Sequence, residues 1–208
     1  AQELGENADM IFSDFSPAVA AASIAQVHRA TLRQSGEDVA VKVLRPDIER
    51  AFRTDLDAFF LAARIVEVLS PASRRLRPMD VITHFESVVF GELDLRLESS
   101  AASEFAANTA KDDGFTLPVI KWPYSSRRVM TMSWAEGVPM GDNAAIDAAG
   151  HDRQALSTRV LQLFLSHALR DGYFHADMHQ GNMKVAPNGD IIAYDFGIMG
   201  HILSLIHI

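Results

Sequence analysis

The segment from Tyr173 to Gly197 reads YFHADMHQGNMKVAPNGDIIAYDFG, and it places His175, Asp177, His179 and Asn182 within eight residues of one another. Three chemistries compete for it. A metal centre could use His175, Asp177 and His179, whose alternation suits one face of a strand. The following Gln180-Gly181-Asn182 is a loop composition, however, and no further cluster completes a His/carboxylate ligand set. An acyl-transfer hydrolase needs a G-x-S-x-G elbow, which the chain lacks. Phosphoryl transfer fits both residue types and spacing. His175-x-Asp177-x-x-x-x-Asn182 has the register H-x-D-x-x-x-x-N, and Asp195-Phe196-Gly197 follows one hairpin later. In that chemistry Asp177 orients the nucleophile and accepts its proton. Asn182 and Asp195 hold Mg²⁺ between phosphates, because hard cations prefer oxygen ligands. His175 is expected to brace the loop by hydrogen bonding, and His179 either touches phosphate or braces the loop.

Such a loop needs a nucleotide-holding partner upstream. Lys42 stands alone among apolar residues in Val39-Ala40-Val41-Lys42-Val43. A cation in that setting calls for an anion to offset its desolvation, and nucleotide phosphates plus a helix carboxylate supply one. Glu86, Glu92, Asp94, Glu98 and Glu104 are the candidate carboxylates. Spacing on a single helix puts 94 and 98 on one face and does not choose between them. The glycine-rich loop expected over the phosphates is replaced by AVAAASIAQVH at Ala18–His28. It lacks the φ > 0 freedom of glycine, so a stiffer covering turn is expected.

The elements that position these residues can be sketched from periodicity. Val39–Leu44 reads as a strand, and Pro46-Asp47 opens a helix whose apolar period runs to about Leu69. A second long helix is expected from about Met79 to Ala110, followed by strands in LPVIKW and RRVMTMSW. Glu136-Gly137-Val138-Pro139 punctuates the chain like a hinge. Asp152–Asp171 is helical, and Met183–Ala186 with Ile191–Tyr194 forms a hairpin around Asn188-Gly189. The order gives an α+β, two-lobed arrangement.

Composition narrows the function classes. Twenty-seven acidic against nineteen basic residues leave a net charge of −8, which argues against a nucleic-acid footprint. Cysteine is absent, so disulfides and thiolate metal sites are excluded. No apolar run reaches the roughly 18–20 residues that span a bilayer. The chain opens on AQELGENADM without an initiator Met and closes on HILSLIHI. Its last six residues match a translated frame of a sequencing-library adapter, so the expectation is a piece of a longer protein with 203–208 set aside as an artefact.

AAASIAQVHRA, VAVKVLRP, ELDLRLESSAASEF, FHADMHQGN and IIAYDFGIMG together resemble the UbiB family of atypical, protein-kinase-like enzymes linked to ubiquinone biosynthesis. The resemblance spans roughly Phe15–Gly200. It implies a kinase-like fold with a nearly complete N-lobe at 15–138, including a helical insertion, and the start of a C-lobe at 139–202. Residues 1–14 would then be a partial N-terminal segment. It further implies ATP and Mg²⁺ as cofactors. Lys42 pairs with Glu98, Asp177 is the catalytic-loop Asp, and Asn182 and Asp195 are the metal ligands. Glu92 and Asp94 form a regulatory E-x-D pair. Ala21, Ala22 and Ser23 cover the phosphates, and the backbone from Met132 through Glu136 to Val138 holds the adenine. Quinone-precursor lipids, ubiquinone-biosynthesis proteins and an anionic membrane surface are the implied partners, at the cytoplasmic face of a bacterial inner membrane. The family's Lys-x-Gly-Gln extension has no match in residues 1–14, Met178 and Gln180 stand where family loops usually carry Pro, and Ser99 replaces a common Ala. An aminoglycoside- or choline-kinase-like phosphotransferase and a non-catalytic, nucleotide-gated lipid scaffold are the alternative readings.

Overall fold

The computed structural model describes residues 3–202, so the expected adapter segment 203–208 lies outside the described residues. In chain order the elements are α1 (Ala8–Ile11), β1 (Phe12–Ala21), β2 (Ala25–Leu32), β3 (Asp38–Leu44), α2 (Ile48–Leu69), α3 (Pro78–Glu92), α4 (Leu95–Asn108) and β4 (Phe115–Thr116). There follow β5 (Val129–Ser133), β6 (Val138–Pro139), α5 (Asn143–Ala148), α6 (Arg153–Ser166), β7 (Tyr173–His175), β8 (Met183–Val185), β9 (Ile191–Ala193) and β10 (Met199–His201). The fold is α+β. Its amino-terminal part is a four-stranded antiparallel sheet ordered β1-β2-β3-β5. Its carboxy-terminal part holds the sheet β4-β9-β8-β6 and the two-stranded β10-β7.

Strand β3 shows how sequence alternation becomes position. Val39 and Val41 are buried against Ile11, Phe12, Ala30 and Leu32 on one face. Ala40 and Leu44 pack into the larger core on the other. Because strand side chains alternate, Lys42 is forced onto that second face, toward α4. The β8–β9 hairpin forms as its Asn-Gly turn predicts, with Met183 opposite Ala193 and Val185 opposite Ile191.

Three expectations from the sequence are corrected. The single helix drawn from Met79 to Ala110 is two helices. The chain breaks at Leu93-Asp94, where the Asp94 carboxylate accepts the Arg96 N–H and so caps α4. The Leu95 N–H also donates to the Arg127 carbonyl, tying the start of α4 to the segment before β5. LPVIKW is not a strand: only Ile120 bridges to Met132, and Trp122–Tyr124 is a short 3₁₀ turn. The Ala-rich segment is largely sheet rather than loop, with β1 and β2 carrying it to within a few residues of Ala22-Ser23-Ile24. Ala and Ser tolerate extended backbone, and antiparallel pairing to β3 satisfies β2. Asp47 does stand at the start of α2, but in the left-handed region with φ 56° and with no bond from its side chain to the helix.

Phe105 of α4 joins the two parts. Its ring lies edge-on to Phe115, His167, Tyr173 and Phe196 at centroid distances of 5.0–6.4 Å, so α4 and the Asp195-Phe196-Gly197 segment share one core. Gly137 sits where the segment after β5 crosses β8. A Cβ there would meet the Val185 carbonyl oxygen at 2.4 Å, so only glycine permits the approach.

Candidate active site

Leu95, Ala102 and Phe105 bury one face of α4, and Glu98 lies on that face between them. Its carboxylate accepts two hydrogen bonds from the Lys42 ammonium, at 2.7 and 2.9 Å. The choice that spacing left open between Glu98 and Asp94 is resolved by the helix break. Asp94 caps α4 and takes the Arg96 guanidinium at 2.6 Å instead. Lys42 also lies 3.6 Å from Asp195 Oδ1. Side-chain exposures of 13% for Lys42 and 9% for Glu98 mark a nearly dry pair, whereas Asp195 is 43% exposed. Burial works against the Lys42 charge, but the charges of Glu98 and Asp195 outweigh it and hold its pKa above the ordinary lysine value. Glu98 is pushed up by burial, countered by Lys42 and reinforced by Asp195. One cation beside two carboxylates leaves surplus negative charge facing the cavity.

The catalytic-loop residues arrive on the connection between β7 and β8. His175 is buried, and its Nδ1 accepts the Asp177 N–H at 3.1 Å, which shapes the turn. Burial lowers its pKa, so the ring is neutral. The Asn182 amide donates from Nδ2 to the Asp177 carbonyl and carboxylate at 3.1 and 3.2 Å. That orientation leaves Asn182 Oδ1 available as an acceptor. His179 Nδ1 accepts the Gly181 N–H, and its Nε2 lies 3.7 Å from Asp177. His179 therefore braces the loop.

Two adjoining cavities receive these groups. The larger, about 430 Å³, is lined by Ala21, Ala22, Lys42, Met132, Asn182 and Asp195, together with Val27, Ala40, Trp134, Ala135 and Lys184. The smaller, about 170 Å³, is lined by Ser23, Lys42, Glu92, Glu98, Asp177, Asn182 and Asp195. Glu136 and Val138 line neither cavity: the Glu136 carboxylate is exposed and faces Arg29, and Val138 pairs with Val185. Glu92 lines the smaller cavity and Asp94 neither, and both open, with Glu98, on a third cavity of about 470 Å³ against α4. The sequence reading missed Trp134, Tyr194 and Lys184. Lys184 carried the same signal as Lys42, a lone cation in an apolar strand.

Among the described residues no group of three or more His, Asp or Glu could hold a metal by itself. Asn182 Oδ1 and the Asp195 carboxylate give two hard oxygen donors, which fits Mg²⁺ that keeps the rest of its shell from phosphates and water. The arrangement can thus bind a polyphosphate beside a carboxylate placed for proton acceptance.

A family profile described as "ABC1 atypical kinase-like domain" matches residues 1–205. The chain belongs to the ABC1 atypical kinase-like family. Among curated ABC1-type relatives, "Probable protein kinase UbiB" of Marinobacter nauticus is 38% identical over 204 residues, covering 96% of this chain and 37% of that protein. The Xylella fastidiosa protein of the same description is 37% identical over 206 residues, again 96% and 37%. The chain therefore spans little more than a third of the length of these relatives. A solved structure described as the complex of Rv3197 with erythromycin, from Mycobacterium tuberculosis, superposes with a TM-score of 0.75. It is 32% identical and covers 96% of this chain and 49% of that one. The ABC1 kinase-like fold is accordingly the two-lobed fold expected. Among the described residues no helix is long and apolar enough to cross a membrane.

Proposed function

We propose that this chain is the nucleotide-binding part of an ATP- and Mg²⁺-dependent atypical kinase or ATPase of the UbiB type, supporting ubiquinone biosynthesis. The reading rests on one observation above all. Lys42, from the amino-terminal sheet, lies beside Glu98 and Asp195, and all three line the smaller cavity together with Asp177 and Asn182. In this reading Lys42 binds the phosphates and Glu98 holds its ammonium in place. Asn182 and Asp195 hold Mg²⁺, which when bound neutralises charge on the phosphate oxygens. Asp177 orients the attacking hydroxyl or water and accepts its proton. Ala21, Ala22 and Ser23 cover the phosphates from the β1–β2 turn, and Met132 with the backbone that follows it receives the base. Glu136 and Val138 contribute to the base site only through the course of that backbone. Glu92 and Asp94 act as the regulatory pair, and the full-length protein works at the cytoplasmic face of the bacterial inner membrane with quinone-precursor lipids, ubiquinone-biosynthesis proteins and anionic lipid as partners.

The test measures Mg·ATP binding and phosphate release by the full-length protein, with and without a quinone-precursor-like phenol and anionic vesicles. Asp195→Asn should weaken Mg·ATP binding about tenfold or more. Absence of nucleotide binding under every condition refutes the proposal.

A further inference from the structure

Helices α2 and α3 pack side by side, with Phe59 meeting Phe85 edge-on at 6.3 Å. Glu92, at the carboxy-terminal end of α3, lines the smaller cavity, so the other end of this 15-residue helix stands roughly 20 Å away. That end is an ordered tip. Pro71–Leu76 forms a 3₁₀ turn, the Ser73 hydroxyl donates to Ser70 Oγ at 2.9 Å, and Arg77 reverses the chain in the left-handed region at φ 48°. Val68, Leu69 and Leu76 stand there 71%, 77% and 75% exposed. Scattered singly such side chains would be ordinary, but here they cluster at one end of a hairpin. From Val68 to Met79 the chain carries Arg74, Arg75 and Arg77 and no acidic residue, against a net charge of −8 for the whole sequence. All three arginines are exposed. Arg77 pairs with Asp80 at 2.5 Å. Arg74 donates from Nε to the Glu67 carbonyl at 2.9 Å and, like Arg75, meets no carboxylate among the described residues. At the base of the hairpin the sign reverses: residues 48–57 and 85–92 carry five acidic and two basic side chains.

Bare aliphatic side chains among guanidinium groups suit the boundary of a lipid bilayer. There the aliphatic groups leave water, and arginines meet lipid phosphates in charge-assisted hydrogen bonds. A nucleic acid would satisfy the arginines and leave the aliphatic groups exposed. We infer that the α2–α3 tip docks the protein on an anionic lipid surface. The acidic base of the hairpin is repelled by the same surface, so the contact is made tip-first. The inference rests on the membrane part of the proposed function and gives it a contact point, while nucleotide binding does not enter it. In the isolated chain without lipid, the same aliphatic groups are free to meet one another.

The test reads the tip itself rather than binding of the whole protein. The chain has no cysteine, so Leu69→Cys gives a single attachment point for an environment-sensitive fluorophore. Asp55→Cys, about 21 Å away along α2, is the control. Both are made in the full-length protein with any cysteine elsewhere replaced. The protein is mixed with vesicles of phosphatidylcholine alone or with about one third phosphatidylglycerol, each with and without nitroxide-labelled lipid. On the anionic vesicles the Leu69 label should shift to the blue and lose about half or more of its emission to the nitroxide, while the Asp55 label stays unchanged. Arg74→Gln with Arg75→Gln should lower the Leu69 response about tenfold at limiting lipid, and added salt should weaken it. All substituted side chains are exposed, and thermal melts establish that the variants fold. An equal response on phosphatidylcholine alone overturns the inference, as does a shift that follows protein concentration and ignores lipid. A Leu69 label untouched by nitroxide while the protein floats with anionic vesicles overturns it and leaves the membrane partner standing. Failure of the protein to float with anionic vesicles overturns both, whatever its affinity for Mg·ATP.

Discussion

Replacing Lys42 by Met removes the only cation that faces Glu98 in the described structure, and the consequences can be worked from the geometry. The pair is nearly dry, with 13% and 9% of the side chains exposed, and bonds through both carboxylate oxygens. Breaking a buried pair from one side costs about 3–5 kcal/mol, because the remaining charge keeps its desolvation penalty. Asp195 adds like charge to the stranded carboxylate, so the upper part of that range is expected. For a chain of this length it corresponds to a melting temperature lower by about 6–20 °C. The double variant Lys42→Met, Glu98→Leu removes both charges and should recover most of that loss, since an apolar pair of similar volume is often neutral. The pH dependence has a defined sign. Glu98 already has a raised folded-state pKa, and losing Lys42 raises it further. The folded variant then binds more protons than the unfolded chain, so stability falls as pH rises through that window. The gap between Lys42→Met and wild type should therefore narrow as pH drops from 7 toward 5. Urea denaturation of wild type, Lys42→Met, Glu98→Leu and the double variant at both pH values is the assay. A double variant as unstable as the sum of the two singles, or a gap that does not change with pH, would refute this account of the pair.

Three further outcomes follow from other parts of the structure. His167 and His175 are both buried with folded-state pKa values lowered by burial, so the unfolded chain binds more protons. Stability should fall as pH drops through the unfolded histidine value near 6.5, read as a lower urea midpoint at pH 5.5 than at 7.5 in wild type. Gly137→Ala places a methyl 2.4 Å from the Val185 carbonyl oxygen and should destabilise by about 2 kcal/mol or more, while Gly36→Ala, with open space around it, should lose less; thermal melts compare them. Leu61, Ile65, Val68 and Leu69 of α2 leave an exposed apolar face, so the isolated chain should self-associate, and Val68→Glu with Leu69→Lys should shift light scattering toward monomer.

The spacing of His175, Asp177 and Asn182, with Asp195-Phe196-Gly197 after an Asn-Gly hairpin, was sufficient to point to a kinase-like domain. Those residues lie close in the chain, so a short strand, a turn and a hairpin bring them together over short sequence distances. The alternation around Lys42 likewise fixed which face of β3 it leaves. The Lys42 partner was a different kind of question. Periodicity on one assumed helix could not separate Glu98 from Asp94. The Asp94 cap and the bond from Leu95 to the Arg127 carbonyl broke that helix and swung Glu98 inward. The Ala-rich segment was read as a loop because Ala and Ser carry weak strand signals, yet pairing of β1 with β2 and of β2 with β3 made most of it sheet. Glu136 and Val138 followed from the family resemblance, and in the structure neither lines the cavity that Trp134 and Lys184 line. Residue types and near-neighbour spacing are thus written in the chain itself. Which carboxylate meets which cation depends on helix breaks and crossings set by contacts far apart in sequence, and those exist only once the chain has packed.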